Sequence, residues 1–204
     1  MKIIYLWVKN EGWKAFDFDT AETKQALVDR HIMIDNSAKI GVFVRIGGYT
    51  TIGESARIGD SACVGQSVTI GKYVTIGDNA TIEFTATIGD SARIGESARI
   101  GHYVTIGKST RIGDHVTIGG YARIGGKEVI KKSLFITGSR HTVNWFSTGI
   151  IHIGCYKEEI KWWLENYKAV GKKEHYTKKQ IEEYGEYIKC CDILQKSVKV
   201  KVKP

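Results

Sequence analysis

The chain has 204 residues, 42% of them hydrophobic and 25% charged, with a formal net charge of +8. That composition supports a packed core and excludes a chain too polar to fold, while the apolar run at the start meets Lys9 and Glu11 too early for a membrane span or secretory segment. Lys and Arg against Asp and Glu number 5 and 5 in residues 1–33, 10 and 9 in 34–130, and 15 and 8 in 131–204, so the excess sits in the last third, where either an anionic partner or a solvated basic face accounts for it.

Residues 1–33 predict an N-terminal capping piece. Two strands, Ile3–Val8 and Trp13–Phe18, flank an Asn10-Glu11-Gly12 turn, and a short helix follows with Asp19 and Glu22 spaced as a capping-box variant. Such a piece would cover the open end of the element that comes next.

Residues 34–130 carry an unbroken six-residue period. Its large aliphatic position runs Ile34, Ile40, Ile46, Ile52, Ile58, Val64 and onward to Ile130, and Gly follows most of these residues. Two positions earlier stands Ala, Val or Thr, as at Ala38, Val44 and Thr50. On a short strand these two positions share the inward face and the residue between them faces out. A glycine turn with unusual φ would bend the chain after each strand. Three strands then make one triangular coil, and every residue stacks on the residue eighteen later. One coil cannot bury its own face, but a stack can.

The pattern resembles the transferase hexapeptide family over residues 34–130. That resemblance implies a left-handed parallel β-helix of about five coils, usually assembled as a homotrimer. It also brings a range of activities, from acyltransferases to γ-class carbonic anhydrases and non-catalytic scaffolds. The expected fold class is therefore mainly β: this β-helix, the small N-terminal cap, and a C-terminal α+β module ending in two helices.

Sorted by eighteen, the outward residues form three columns. They are Lys39, Arg57, Thr75, Arg93, Arg111; Arg45, Cys63, Thr81, Arg99, Thr117; and Thr51, Thr69, Thr87, Thr105, Arg123. The third face is flat, weakly charged and edged by Tyr49, Tyr103 and Tyr121, and is the one expected to meet a neighbouring subunit. A threonine ladder of the ice-binding kind needs paired columns, which only Thr85 and Thr87 supply. For the basic columns, Asp60, Asp78, Asp90, Glu54 and Glu96 are the expected counter-charges.

Residues 131–204 leave the repeat. Ser133–Thr137, Thr142–Phe146 and Gly149–Ile153 read as strands. Ile160, Trp163, Leu164 and Tyr167 follow helical spacing up to Gly171, the expected stop. A capping box from Thr177 to Gln180 opens a second helix with Ile181, Tyr184, Ile188, Cys191 and Leu194 on its apolar face. The tail VKVKVKP alternates like an edge strand. Cys63, Cys155, Cys190 and Cys191 have no framework spacing and read as reduced thiols of a cytoplasmic protein.

Three chemistries have residues to carry them. In hexapeptide acyltransferases of the lipid A type a histidine within a coil deprotonates the acceptor while CoA or acyl carrier protein lies between subunits, and the resemblance puts His102 and His115 in that role. Surface filler is the plainer reading of both, and no loop bearing a histidine leaves the prism. A zinc site shared between subunits needs three histidines, and the repeat offers two; His141, His152 and Cys155 form no complete ligand set. In the C-terminal module, Gly138 and Ser139 could aim backbone N–H groups at a phosphate, with Arg140, His141 and Trp145 beside them.

The leading expectation is a homotrimeric scaffold, without certain cofactor, binding an anionic, phosphate-bearing small molecule through Gly138, Ser139, Arg140, His141 and Trp145. The rival is an acyltransferase using CoA or acyl-CoA at His102 or His115, and a third reading is a purely structural assembly protein. No membrane insertion is expected, and nucleic acid is a weaker partner than a small molecule.

Overall fold

The computed structural model describes residues 2–146 and 148–200. The chain divides into two compact units, 1–130 and 131–204. No helix among the described residues is long and apolar enough to cross a membrane.

The first unit opens with the hairpin β1 (Ile3–Val8) and β2 (Gly12–Asp17), followed by α1 (Ala21–Asp29). Seventeen short strands then follow at the six-residue period, from β3 (Met33–Ile34) to β19 (Val129–Ile130). Each of the first fourteen pairs in parallel with the strand three further on, so Ile58, Ile76, Ile94, Ile112 and Ile130 lie in one file. The result is a parallel β-solenoid of about five turns with three sheets. Its axis is filled by the predicted residues: Ile82, Ile100 and Ile118 are fully buried, as are Ala62, Ala80 and Ala98. Burying each isoleucine contributes about 1.5–3 kcal/mol relative to exposure. Thr50 and Thr110 also face inward, and each donates its hydroxyl to a carbonyl, of Gly65 (2.9 Å) and Gly125 (2.7 Å), so neither is buried without a partner.

The hairpin is part of the solenoid. β1 pairs in parallel with Val44–Ile46, placing Ile4 beside Val44 and Leu6 beside Ile46, and both β1 side chains are fully buried. β2 then lies antiparallel outside β1. α1 is capped by Thr20 and not by Asp19: the Thr20 hydroxyl accepts the N–H of Thr23, and Asp17 takes the Thr23 hydroxyl through its carbonyl.

Two expectations about the turns are corrected. The repeat glycines do not adopt left-handed φ; that conformation falls two residues later, on Ser61, Asn79, Thr85, Tyr103 and their equivalents, at φ near 55°. Glycine is required instead because the next coil passes too close. A Cβ on Gly77 would lie 2.6 Å from the backbone nitrogen of Glu96, and one on Gly53 2.9 Å from the carbonyl carbon of Gly71. The turn carboxylates, likewise, are not counter-charges for the arginine columns. Asp78 accepts the backbone N–H of Asp60 and Asp114 that of Glu96, both at 2.9 Å, which satisfies turn donors that no strand can reach. Arg57, Arg93 and Arg111 make no ion pair among the described residues; Glu54 and Asp90 pair instead with lysines, Lys72 and Lys108.

The second unit has an antiparallel sheet of β20 (Ser133–Thr137), β21 (Thr142–Phe146), β22 (Ile150–Ile153) and β23 (Tyr156–Glu159), in that order, with α2 (Ile160–Lys173) and α3 (Lys178–Val200). Val143, Trp145, Ile151, Trp163, Tyr184 and Ile188 form its core. Gly171 does not stop α2; it lies buried where α3 crosses, and a Cβ there would meet the Ile181 side chain at 2.6 Å. The capping box of α3 is present, with Gln180 N–H donating to the Thr177 hydroxyl (3.2 Å) and Thr177 N–H to the Gln180 carboxamide oxygen (2.9 Å). The start of the tail is helix, not strand, because Val198 follows Leu194 at helical spacing onto the core; residues 201–204 of the alternating run lie outside the described residues.

Gly77→Ala should lower stability by about 1–3 kcal/mol through overpacking. Ser61→Gly should leave it unchanged or raise it, since it relieves a left-handed residue. Thermal melting of both variants checks the assignment of strain to the glycine position.

Candidate functional site

His102 and His115 occupy different corners of the prism and do not meet. The His115 backbone N–H donates to the Glu96 carbonyl (2.8 Å), and its ring makes no hydrogen bond among the described residues. His102 is different. One carboxylate oxygen of Glu83 receives both the His102 backbone N–H, at 2.9 Å, and the ring Nδ1, at 3.0 Å. An ionised carboxylate only accepts, so this contact puts the ring proton on Nδ1 and leaves the Nε2 lone pair for another partner.

Glu83 is the residue that sequence reasoning missed, and the signal was present. Every other large aliphatic from Ile40 to Ile124 is followed by glycine, and Ile82 alone is followed by glutamate. The exception leaves the ladder intact, since Glu83 N–H still donates to the Ile100 carbonyl at 2.8 Å. Gly120 lies one coil beyond His102, where a Cβ would lie 2.8 Å from the ring Cε1 and 2.9 Å from Nε2. The corner therefore has one residue that grips the imidazole and one that is bare to admit it.

Aromatic rings surround the pair. Phe84 stacks on His102 (5.1 Å, 12°), Tyr103 stacks on Tyr121 (5.2 Å, 9°), and His102 meets Tyr121 edge-on. Phe84, Tyr103 and Tyr121 are 46%, 47% and 68% exposed, so an apolar patch lies open beside the dyad.

In the second unit the candidate anion cradle is already engaged. Ser139 donates its N–H (2.8 Å) and its hydroxyl (2.6 Å) to the Glu183 carboxylate, and the N–H groups of Arg140 and His141 go to the Tyr184 hydroxyl. Ser139 thereby holds Glu183 below the usual carboxylate range. Arg140 donates to the His175 carbonyl (3.1 Å) and lies over the Tyr176 ring. Trp145 is a core residue, 2% exposed, and its indole N–H donates to Gln195. Gly138 packs against Tyr184, where a Cβ would fall 2.6 Å from the hydroxyl. His141 hydrogen-bonds the Tyr176 hydroxyl and lines a cleft with Trp163, Tyr167 and Tyr184. Ser139, Arg140 and His141 are thus brought together, but by the protein's own carboxylate and phenols.

Among the described residues no three His, Cys, Asp or Glu side chains converge as metal ligands would. His152 is buried edge-on to Phe146, and Cys63, Cys155, Cys190 and Cys191 are free thiols. Burial, aided by the Lys157 charge, pushes His152 down to about 4 from an ordinary 6.5.

Residues 91–126 match the family model described as bacterial transferase hexapeptide (six repeats), and the repeat of this chain is of that kind. None of the curated proteins matches the chain. Among solved structures it is similar to the acetyltransferase domain of PglB from Neisseria gonorrhoeae in complex with acetyl coenzyme A, at 21% identity over 49% of this chain and 51% of that one, TM-score 0.43. The chain thus spans about half of that structure. It is also similar to PerB from Caulobacter crescentus in complex with CoA and GDP-perosamine, at 18% identity over 52% of this chain and 51% of that one, TM-score 0.33. A putative acetyltransferase from Bacillus cereus is similar over 95% of this chain and 97% of that one, at 15% identity and TM-score 0.41.

Between pH 6.5 and about 4 the unfolded chain binds a proton at position 152 and the folded chain does not, so stability should fall as pH drops, by up to ~3 kcal/mol below pH 4. In His152→Leu that part of the dependence should vanish, as read by thermal melting across this range.

Proposed function

We propose that the chain is an acyltransferase of the hexapeptide type, with His102 as general base and Glu83 as the group that orients it. The observation that carries this reading is the single hydrogen-bonded contact in which Glu83, at the repeat's one glutamate-for-glycine exchange, fixes both the backbone and the Nδ1 of His102. The match of residues 91–126 to the transferase repeat supports it.

In this scheme Nε2 of His102 takes the proton from an acceptor hydroxyl or amine as that atom attacks the thioester carbonyl of acyl-CoA, the donor that the family resemblance implies. The C–S bond then breaks, and the CoA sulfur leaves with the proton that the imidazolium returns. Glu83 keeps the ring in the working tautomer and stabilises its positive charge during the exchange. The exposed rings of Phe84, Tyr103 and Tyr121 supply apolar surface that excludes water once a substrate or a second subunit covers them. A homotrimer would put this edge of the prism at a subunit boundary.

His102→Ala should reduce acyl transfer from acetyl-CoA by about 10²–10⁴-fold in kcat. Glu83→Gln should cost less, and His115→Ala should leave the rate unchanged. Thiol release against a panel of amino and hydroxyl acceptors measures this. Full turnover in His102→Ala would refute the assignment, and CoA binding without turnover on any acceptor would favour the scaffold reading instead.

A further inference from the structure

The second unit holds a small cleft that its own core does not fill. Tyr156, Trp163, Tyr167, Tyr176 and Tyr184 stand around it, Glu174 is in its lining, and its volume is about 70 Å³. A water-sized group needs ~10–15 Å³ of such space, so the cleft takes a head of about five heavy atoms. Its rings are fixed by the protein itself. The Trp163 indole N–H donates to the Ile151 carbonyl (3.0 Å), the Tyr184 hydroxyl to the His141 carbonyl (2.7 Å) and the Tyr156 hydroxyl to Glu174 (2.8 Å). Tyr156 meets Trp163 at 67° and Tyr176 meets Tyr184 at 65°, so neighbouring rings stand as adjoining walls and do not stack on each other. Tyr167 packs on Gly185 of α3, where a Cβ would fall 2.7 Å from its ring.

Charge in this cleft is one-sided. Its lining has one carboxylate, Glu174, one imidazole, and no lysine or arginine among the described residues. Glu174 is half-buried, takes its hydrogen bond from a neutral phenol, and makes no ion pair among the described residues. Lys173 feels that charge but donates to the Tyr156 hydroxyl instead (3.4 Å). Arg140 lies over one face of Tyr176 (4.8 Å) and Lys168 over one face of Tyr167 (5.8 Å), yet neither side chain enters the lining. The carbonyl end of α2, at Val170 and Gly171, adds partial negative charge to the same wall. A carboxylate drawn into an apolar wall gains from a cation beside it, and aromatic faces attract the same cation.

We infer that this cleft binds a small methylated ammonium compound, its head seated among the rings with Glu174 as counter-ion. Methylation is what the lining selects. A primary ammonium carries three N–H donors that all need acceptors, whereas a quaternary head needs only contact and one negative charge. Nitrogen, three methyl groups and the first chain carbon make five heavy atoms, the size the cleft takes. The site lies wholly within the second unit and is independent of the acyltransferase reading of the first.

Calorimetric titration of the full chain with choline, tetramethylammonium and 3,3-dimethyl-1-butanol, the neutral carbon isostere of choline, tests the inference. Choline and tetramethylammonium should bind, and the isostere about tenfold more weakly or worse. That comparison needs no variant. Glu174→Gln keeps an acceptor for Tyr156 while removing the charge, and should weaken choline about tenfold. Tyr167→Leu should weaken it as well, whereas Tyr167→Phe, which keeps the ring, should not; thermal melting confirms that each variant is folded. No heat from either cation, equal affinity for the neutral isostere, or unchanged affinity in both Glu174→Gln and Tyr167→Leu overturns the site and leaves the His102 assignment standing.

Discussion

The solenoid depends on how closely one corner can lie against the next. Parallel strands at hydrogen-bonding distance stack corners at the same short rise, and the residue after each inward aliphatic then faces the backbone of the following coil. Only a hydrogen fits there at most levels, as the clash a Cβ on Gly77 would suffer shows. The same closeness gives the stack its regularity. Backbone donors of one level reach carbonyls of the next, turn carboxylates collect the remaining N–H groups, and isoleucines file along the axis without a gap. The left-handed residues at the turns cost about 1 kcal/mol each. That cost is offset by ladder hydrogen bonds and burial that repeat at every level.

A lattice this regular makes an exception chemically informative. Glu83 breaks the glycine rule while keeping its ladder bond, and its carboxylate reaches up to the imidazole of the next coil. Gly120, one coil on, leaves the ring the space that a Cβ there would take. Together they fix one histidine out of two, and His115, at a corner without such exchanges, keeps a ring with no hydrogen bond among the described residues.

The C-terminal unit shows why polar sequence motifs are harder to read than repeats. Gly138, Ser139, Arg140 and His141 have the composition of an anion cradle, yet their donors close on Glu183 and Tyr184, over forty residues away in sequence. Spacing along the chain identifies donors but not acceptors. Gly171 has the same ambiguity: a glycine near a helix end can stop the helix or let a second helix approach, and here Ile181 decides for approach.

The sequence by itself determined the solenoid, because a six-residue period with two inward positions has one compact solution and each coil repeats the same local argument. It determined the columns of outward residues for the same reason, and the helical faces from Ile160 and Ile181 onward, except that Leu164 is exposed. Tertiary structure alone decided which glycines serve close approach, which carboxylates cap turns, and which histidine is held. Those outcomes depend on atoms ten to more than forty residues apart meeting in direct contact, and a period states that levels stack without stating which side chains reach across.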